Sequence, residues 1–190
     1  MKTIFKISTL SLFYLMFTTS CTTSNDTTQS GNDTIQDVVA EVEDKTKRPS
    51  PLVTITTELT GKKIQLEYGS PSVKGRNVWG ELVPYNEVWR TGANEATVIN
   101  FDKELSFNGN VIAPGKYALF TIPTEGEWRF ILNKEWDQWG AYKYDESLNV
   151  LNIGIMPTKD ATFTESLTFK IENNQLQFNW EKLQFAIALK

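Results

Sequence analysis

The sequence predicts an all-β protein, an antiparallel β-sandwich of the jelly-roll kind with about ten strands and two long irregular connections. Three observations predict it. From Val53 to the C-terminus, apolar and polar residues alternate with a period of two in one run after another. Turn-forming pairs such as Thr60-Gly61, Asn108-Gly109 and Asn173-Asn174 stand between the runs. No amphipathic stretch of about twelve residues with helical spacing interrupts them.

Val53, Ile55, Thr57 and Leu59 alternate with Thr54, Thr56 and Glu58, so one face of this run is buried and the other wet. Ile64, Leu66 and Tyr68 repeat the pattern against Lys63, Gln65 and Glu67, and the two runs close as a hairpin near Thr60-Gly61-Lys62. Between residues 69 and 95 the alternation stops. Pro71, Gly75, Gly80, Pro84 and Gly92 punctuate a connection of about 25 residues, a length that is uncommon in an ordered domain unless it serves a function. Strands resume at 96–101 and 105–107, and Asn108-Gly109 suits a tight turn because both residues tolerate positive φ.

Pro114-Gly115 leads into 116–122, and Pro123-Thr-Glu-Gly126 turns the chain into 128–133. Both runs are apolar on both faces, which puts this hairpin in the middle of a sheet with something lying over its second face. A second irregular segment follows over 134–147. The last third alternates strictly through Leu151, Ile153 and Ile155; Leu167, Phe169 and Ile171; Leu176, Phe178 and Trp180; and Leu183, Phe185, Ile187 and Leu189. With Asn173-Asn174 and Glu181-Lys182 as tight turns, its last three runs form a meander.

The first fifty residues have a different character. Lys2 and Lys6 precede the apolar run Leu10-Ser-Leu-Phe-Tyr-Leu-Met-Phe17, and small polar residues follow at Thr18-Thr19-Ser20, the order of an export signal with its cleavage region. The run is shorter than the roughly 20 apolar residues of a membrane span, so 1–20 is read as a removable signal peptide. Cys21, the only cysteine, stands at that junction, where an exported thiol takes a diacylglyceryl group. The alternative is an unmodified thiol behind an ordinary signal, and Thr18 stands where a lipidation motif usually carries Leu. Lipidated, the protein is expected on the cell envelope, at the periplasmic side or the cell surface, with the outer membrane as the expected address. Residues 21–50 are polar and read as a flexible tether. Within them Ile35, Val38, Val39 and Val42 form a helix-spaced stripe, open to either a marginal helix or disorder.

Composition removes several classes of function. Losing Lys2 and Lys6 with the signal deepens the formal charge from −4 to −6, which makes nucleic acid an unsuitable partner. The absence of histidine rules out His-based triads and His-ligated zinc, and a single cysteine rules out disulfides within the chain. No Asp-rich loop of EF-hand spacing and no Gly-rich phosphate loop occurs, so no metal and no cofactor is expected. Residues 51–190 have the size of one domain.

The two irregular segments hold the candidate site residues. Arg76, Trp89, Arg90, Asn94 and Glu95 lie in the first, and Asp137, Gln138, Trp139 and Tyr142 in the second. Loops gathered at one end of a sandwich commonly build binding sites, so the expectation is one pocket holding these residues for a small ligand, a glycan or a protein partner. Arginine grips a carboxylate or phosphate with two parallel N–H groups, and indole rings stack on flat apolar faces such as those of sugars. Other readings stay open. Arg90 with Glu95 or Asp137 forms a structural ion pair pinning the connection down, or the Trp-rich segment is lid packing over a sheet. Glu95 and Asp137 as the acid and base of a glycosidase-like hydrolase would stand about 5 to 9.5 Å apart across a cleft. A purely structural envelope protein would have no concave pocket beside these segments.

Four motifs in order, Ser70-Pro-Ser-Val-Lys-Gly-Arg76, Val88-Trp-Arg-Thr-Gly-Ala-Asn-Glu-Ala-Thr97, Ala113-Pro-Gly-Lys-Tyr117 and Asp137-Gln-Trp-Gly-Ala-Tyr142, resemble a bacterial family catalogued as a domain of unknown function. The likeness covers about residues 51–190. It implies an exported or lipid-anchored protein and implies no activity.

Overall fold

A computed structural model describes residues 43–190. The expected signal peptide, Cys21 and the stripe at Ile35, Val38, Val39 and Val42 lie outside the described residues. Within them the fold is all-β, as the alternation predicts. Its strands are β1 (Leu52–Leu59), β2 (Lys62–Gly69), β3 (Ala93–Phe101), β4 (Leu105–Phe107), β5 (Asn110–Ile112), β6 (Gly115–Ile122), β7 (Trp128–Asn133), β8 (Asn149–Ile155), β9 (Thr164–Glu172), β10 (Gln175–Glu181) and β11 (Leu183–Ala188). All pairings between these strands are antiparallel. One sheet has the order β1-β2-β3-β6-β7-β8, a second β11-β10-β9, and β4-β5 form a separate hairpin, so no sheet closes into a barrel. Among the described residues no helix is long and apolar enough to cross a membrane.

The period-two pattern turns one face of each sheet into the main core. Ile64, Leu66 and Tyr68 of β2, Ile99 and Phe101 of β3 and Trp128, Phe130 and Leu132 of β7 meet Phe169, Phe178, Trp180 and Phe185 of the smaller sheet in a single core. Tyr68 stands edge-on to Phe169 at 5.0 Å, and its hydroxyl accepts the Phe169 N–H at 3.2 Å, so packing and buried hydrogen bonding both join the sheets. Asn108-Gly109 turns with φ of 46° and 87°, and Asn173-Asn174 with 52° and 56°, the left-handed pair that a two-residue hairpin needs.

The two-sided hairpin β6–β7 takes two of the central positions of the larger sheet. Its second face carries Ala118, Phe120 and Ile131, which with Ala96 of β3 form a smaller cluster under Val88, Ala141 and Tyr144. The irregular segment after β7 is therefore the layer over the outer face. The long connection between β2 and β3 is also anchored rather than looped away. Val73, Val78 and Val83 are buried in the main core. Val73 N–H donates to the Glu165 carbonyl at 2.8 Å and Leu167 N–H to the Pro71 carbonyl at 2.9 Å, so this stretch covers the open edge of β9.

Candidate functional site

The motif around Trp89 begins as an addition to the large sheet. Trp89 exchanges both backbone hydrogen bonds with Thr121 of β6, at 2.8 and 2.9 Å. Its indole is buried, stacked on Trp180 at 5.8 Å and edge-on to Trp79 at 5.9 Å, so Trp89 packs in the core. The chain then leaves the β6 ladder and returns at Thr97. Two non-glycine residues of this excursion take left-handed backbone, Thr91 at φ 50° and Asn94 at φ 66°. For a β-branched residue that is an outlier, and its surroundings must hold it. The Thr91 hydroxyl shares a hydrogen bond with Thr121 Oγ1 at 3.1 Å, and the Thr91 carbonyl accepts from Thr97 Oγ1 at 3.0 Å. Gly92 admits the tight return: a Cβ there would stand 2.9 Å from Thr97 Oγ1 and 3.0 Å from the Gly69 carbonyl oxygen.

The second irregular segment is organised by Gln138, whose side chain is buried. Gln138 Nε2 donates to the Glu135 carbonyl at 2.6 Å while Oε1 accepts the Lys143 N–H at 2.9 Å, closing the segment on itself. Its backbone meets the motif of the first segment. Ala96 N–H donates to the Gln138 carbonyl at 3.0 Å, Gly140 N–H donates to the Asn94 carbonyl at 2.9 Å, and Glu95 bridges Trp139. The two irregular segments thus come together at the start of β3.

They do not build one pocket. Glu95, Asp137, Gln138 and Trp139 line a groove of about 580 Å³ on the outer side of β1, β2, β3 and β6, whereas Arg76, Trp89, Arg90 and Asn94 line a separate concavity of about 250 Å³. Tyr142 is almost fully exposed and lines neither. The expectation of a single pocket fails because the excursion at Thr91 and Asn94 sends consecutive side chains to different sides of the backbone. Asn94 Nδ2 turns to the Ser50 carbonyl at 3.0 Å, and Glu95 faces the groove.

The expected pairing of Arg90 with Glu95 or Asp137 also fails. Glu95 is held instead by Lys45 Nζ at 2.8 Å and Arg48 Nη1 at 2.8 Å, and Arg48 in turn grips Glu43. Residues 43–50, which the composition assigns to the tether, are in this way tied to β3. Burial works to raise the Glu95 carboxyl, but hydrogen bonds from Lys45, its own backbone N–H and Arg48, with the Lys45 charge, outweigh it and hold the group below its usual range. A carboxylate with a depressed folded-state pKa stabilises the fold above its unfolded pKa and loses that contribution as pH falls through the folded value. Glu95→Gln is therefore expected to lower the melting temperature at pH 7 and to lower it by less at pH 2.5, in paired thermal melts. An equal drop at both pH values would show that the ion pairs are not the cause.

Lys45, Arg48, Lys116 and Lys143, which sequence reasoning did not select as site residues, complete the surroundings of the groove together with Trp136 of the Trp-rich segment. Lys116 Nζ sits 3.7 Å above the Trp136 ring, and the Arg48 guanidinium lies 5.8 Å from the Trp139 ring. The run from Glu43 to Arg48 places two acidic residues ahead of three basic ones with no apolar periodicity, so nothing in it signals a partner 47 residues away. Among the described residues no group of three or more Cys, Asp or Glu side chains is placed to hold a metal ion.

No curated protein and no solved structure matches the chain. A family model described as protein of unknown function (DUF2911) matches residues 50–189, almost the whole β-rich domain, and the chain belongs to that family.

Proposed function

We propose that the domain is a non-catalytic binding module, exported and lipid-anchored at Cys21, whose groove takes a glycan or a similarly flat polar ligand. The observation that carries this reading is the pair of exposed indoles on the groove, Trp136 at 37% and Trp139 at 51%. Large aromatic residues left in solvent beside a concavity are unusual for packing and suited to recognition. Each is steadied by a cation, and Glu95, Asp137, Lys116 and Lys143 supply hydrogen-bonding groups around them. Aromatic faces for the apolar side of a sugar ring with charged and amide groups for its hydroxyls make a coherent set.

Glu95 speaks against the hydrolase reading. A general acid needs a raised pKa, whereas this carboxyl is held ionised with both oxygens bound by cations. The presence of a groove beside the two segments weighs against a purely structural role.

Titration of the protein with a panel of envelope-type oligosaccharides, followed by indole fluorescence, is expected to find a saturable ligand, with Trp139→Ala weakening it by about thirtyfold, the scale of an interface hot spot. Binding that survives Trp136→Ala and Trp139→Ala together, or no binding across the panel, removes the reading. For the anchor, Cys21→Ser is expected to abolish membrane fractionation, as is an inhibitor of the lipoprotein signal peptidase. Unchanged mass and fractionation in both would end that part of the proposal.

A further inference from the structure

We propose that the smaller concavity at Arg90 is a second binding site, for a small oxyanion presenting a carboxylate or phosphoryl group. It does not rest on the glycan reading, because the two cavities share no lining residue. The site encloses about 250 Å³, and its polar lining comes from Arg76, Arg90, Asn94 and Ser50 beside Trp89 and Trp180. No acidic side chain lines it, so two guanidinium groups give it a positive field.

Hydrogen-bond accounting points the same way. Three buried side-chain polar atoms among the described residues have no hydrogen-bond partner: Arg90 Nε, Trp180 Nε1 and Trp79 Nε1. Arg90 and Trp180 line this concavity, and Trp79 stands edge-on to Trp180 at 5.6 Å and to Trp89 at 5.9 Å. Arg76 borders both this concavity and the adjoining one at Trp79. Buried orphan donors are rare, and here they gather in one place. Guanidinium and indole N–H groups donate and never accept, so the wall behind the concavity is rich in donors and short of acceptors, although these three atoms themselves have almost no accessible surface.

The arginines are suited to the task. Arg90 forms no ion pair among the described residues, and burial pushes its guanidinium down from its ordinary value while leaving it protonated. Arg76 is pinned by Nε to the Val73 carbonyl at 3.0 Å and by Nη2 to the Ser72 carbonyl, which leaves Nη1 without a partner among the described residues. Arg76, held in place by these bonds before a ligand arrives, loses little entropy on binding. The volume lies below that of pockets for drug-sized ligands, and it fits a free anion or the anionic end of a longer molecule. The left-handed backbone at Thr91 and Asn94, on either side of Gly92, is the kind of strain that clusters at ligand clamps.

The test is titration of the full-length protein at low ionic strength with inorganic phosphate and, separately, with acetate, read by indole fluorescence and calorimetry against chloride. Saturable binding of at least one oxyanion is expected, with a raised melting temperature. Phosphate alone identifies a phosphoryl ligand, and acetate alone a carboxylate. Arg90→Gln and Arg76→Gln are each expected to weaken it by at least about tenfold, the scale of a charge-assisted hydrogen bond, while Trp139→Ala leaves it unchanged. No saturable response to either oxyanion overturns the proposal. So does wild-type affinity in Arg76→Gln, an exposed position whose replacement does not depend on Arg90→Gln folding. A tenfold loss in Trp139→Ala would merge the two cavities and overturn a separate site.

Discussion

Replacing Trp128 with alanine is expected to lower stability by about 3–5 kcal/mol, the range for emptying a fully buried large aromatic site. Trp128 sits in β7, a central strand of the larger sheet, with no exposed surface. Its ring meets Trp79 at 4.9 Å and Phe185 of the facing sheet at 6.1 Å, so it joins the two layers and the long connection at one point. Its Nε1 donates to the Thr124 carbonyl at 2.9 Å, which also ties the β6–β7 turn. Truncation removes all three contacts at once, and the rigid strands around the site limit collapse into the void. In thermal melts the change corresponds to a drop on the order of 10 °C. Trp128→Phe keeps most of the apolar volume and is expected to lose much less. A melting temperature for Trp128→Ala within about 2 °C of wild type would mean that the sheets are not held together through this residue.

The next largest effect is expected from Gly69→Ala, although it adds a single methyl group. Gly69 ends β2 opposite Ala93, at a point where the β2–β3 register shifts. A Cβ there would overlap the Ala93 carbonyl, with its carbon 2.8 Å away. The obstacle is backbone, so relief requires β2 and the start of β3 to separate. Overpacking of this kind costs about 1–3 kcal/mol and occasionally more. Because Gly69 and Glu95 both line the groove, the same displacement is expected to weaken ligand binding there. Denaturant unfolding of the variant measures the first effect. A midpoint equal to wild type would show that the two strands yield without strain.

The strands were legible because their information is local. Side chains on a strand point alternately to two faces, so Ile64, Leu66 and Tyr68 declare a buried face from the sequence alone. The Asn-containing turns announce themselves by tolerance of positive φ. The two-sided apolar pattern of β6 and β7 likewise required a covering layer, and Ala141 and Tyr144 provide it. The site was legible only in part. That the two irregular segments meet followed from loops gathering at a rim, but the depth of each candidate aromatic did not: Trp89 packs in the core and Trp139 is half exposed. The residues differ in burial and not in type: an indole at Trp89 and one at Trp139 look alike until the layers are assembled.

What the sequence by itself determined was the all-β class, most of the strands and the inward face of each, since these depend on periodicity over a few residues. Only the tertiary structure decided that Glu95 belongs to Arg48 and Lys45 rather than to Arg90, and that the motif from Trp89 to Glu95 serves two cavities instead of one. Partner choice between charges depends on the path of the backbone in space. At Thr91 and Asn94 that path takes two left-handed turns that the surrounding fold, and no local propensity, holds in place.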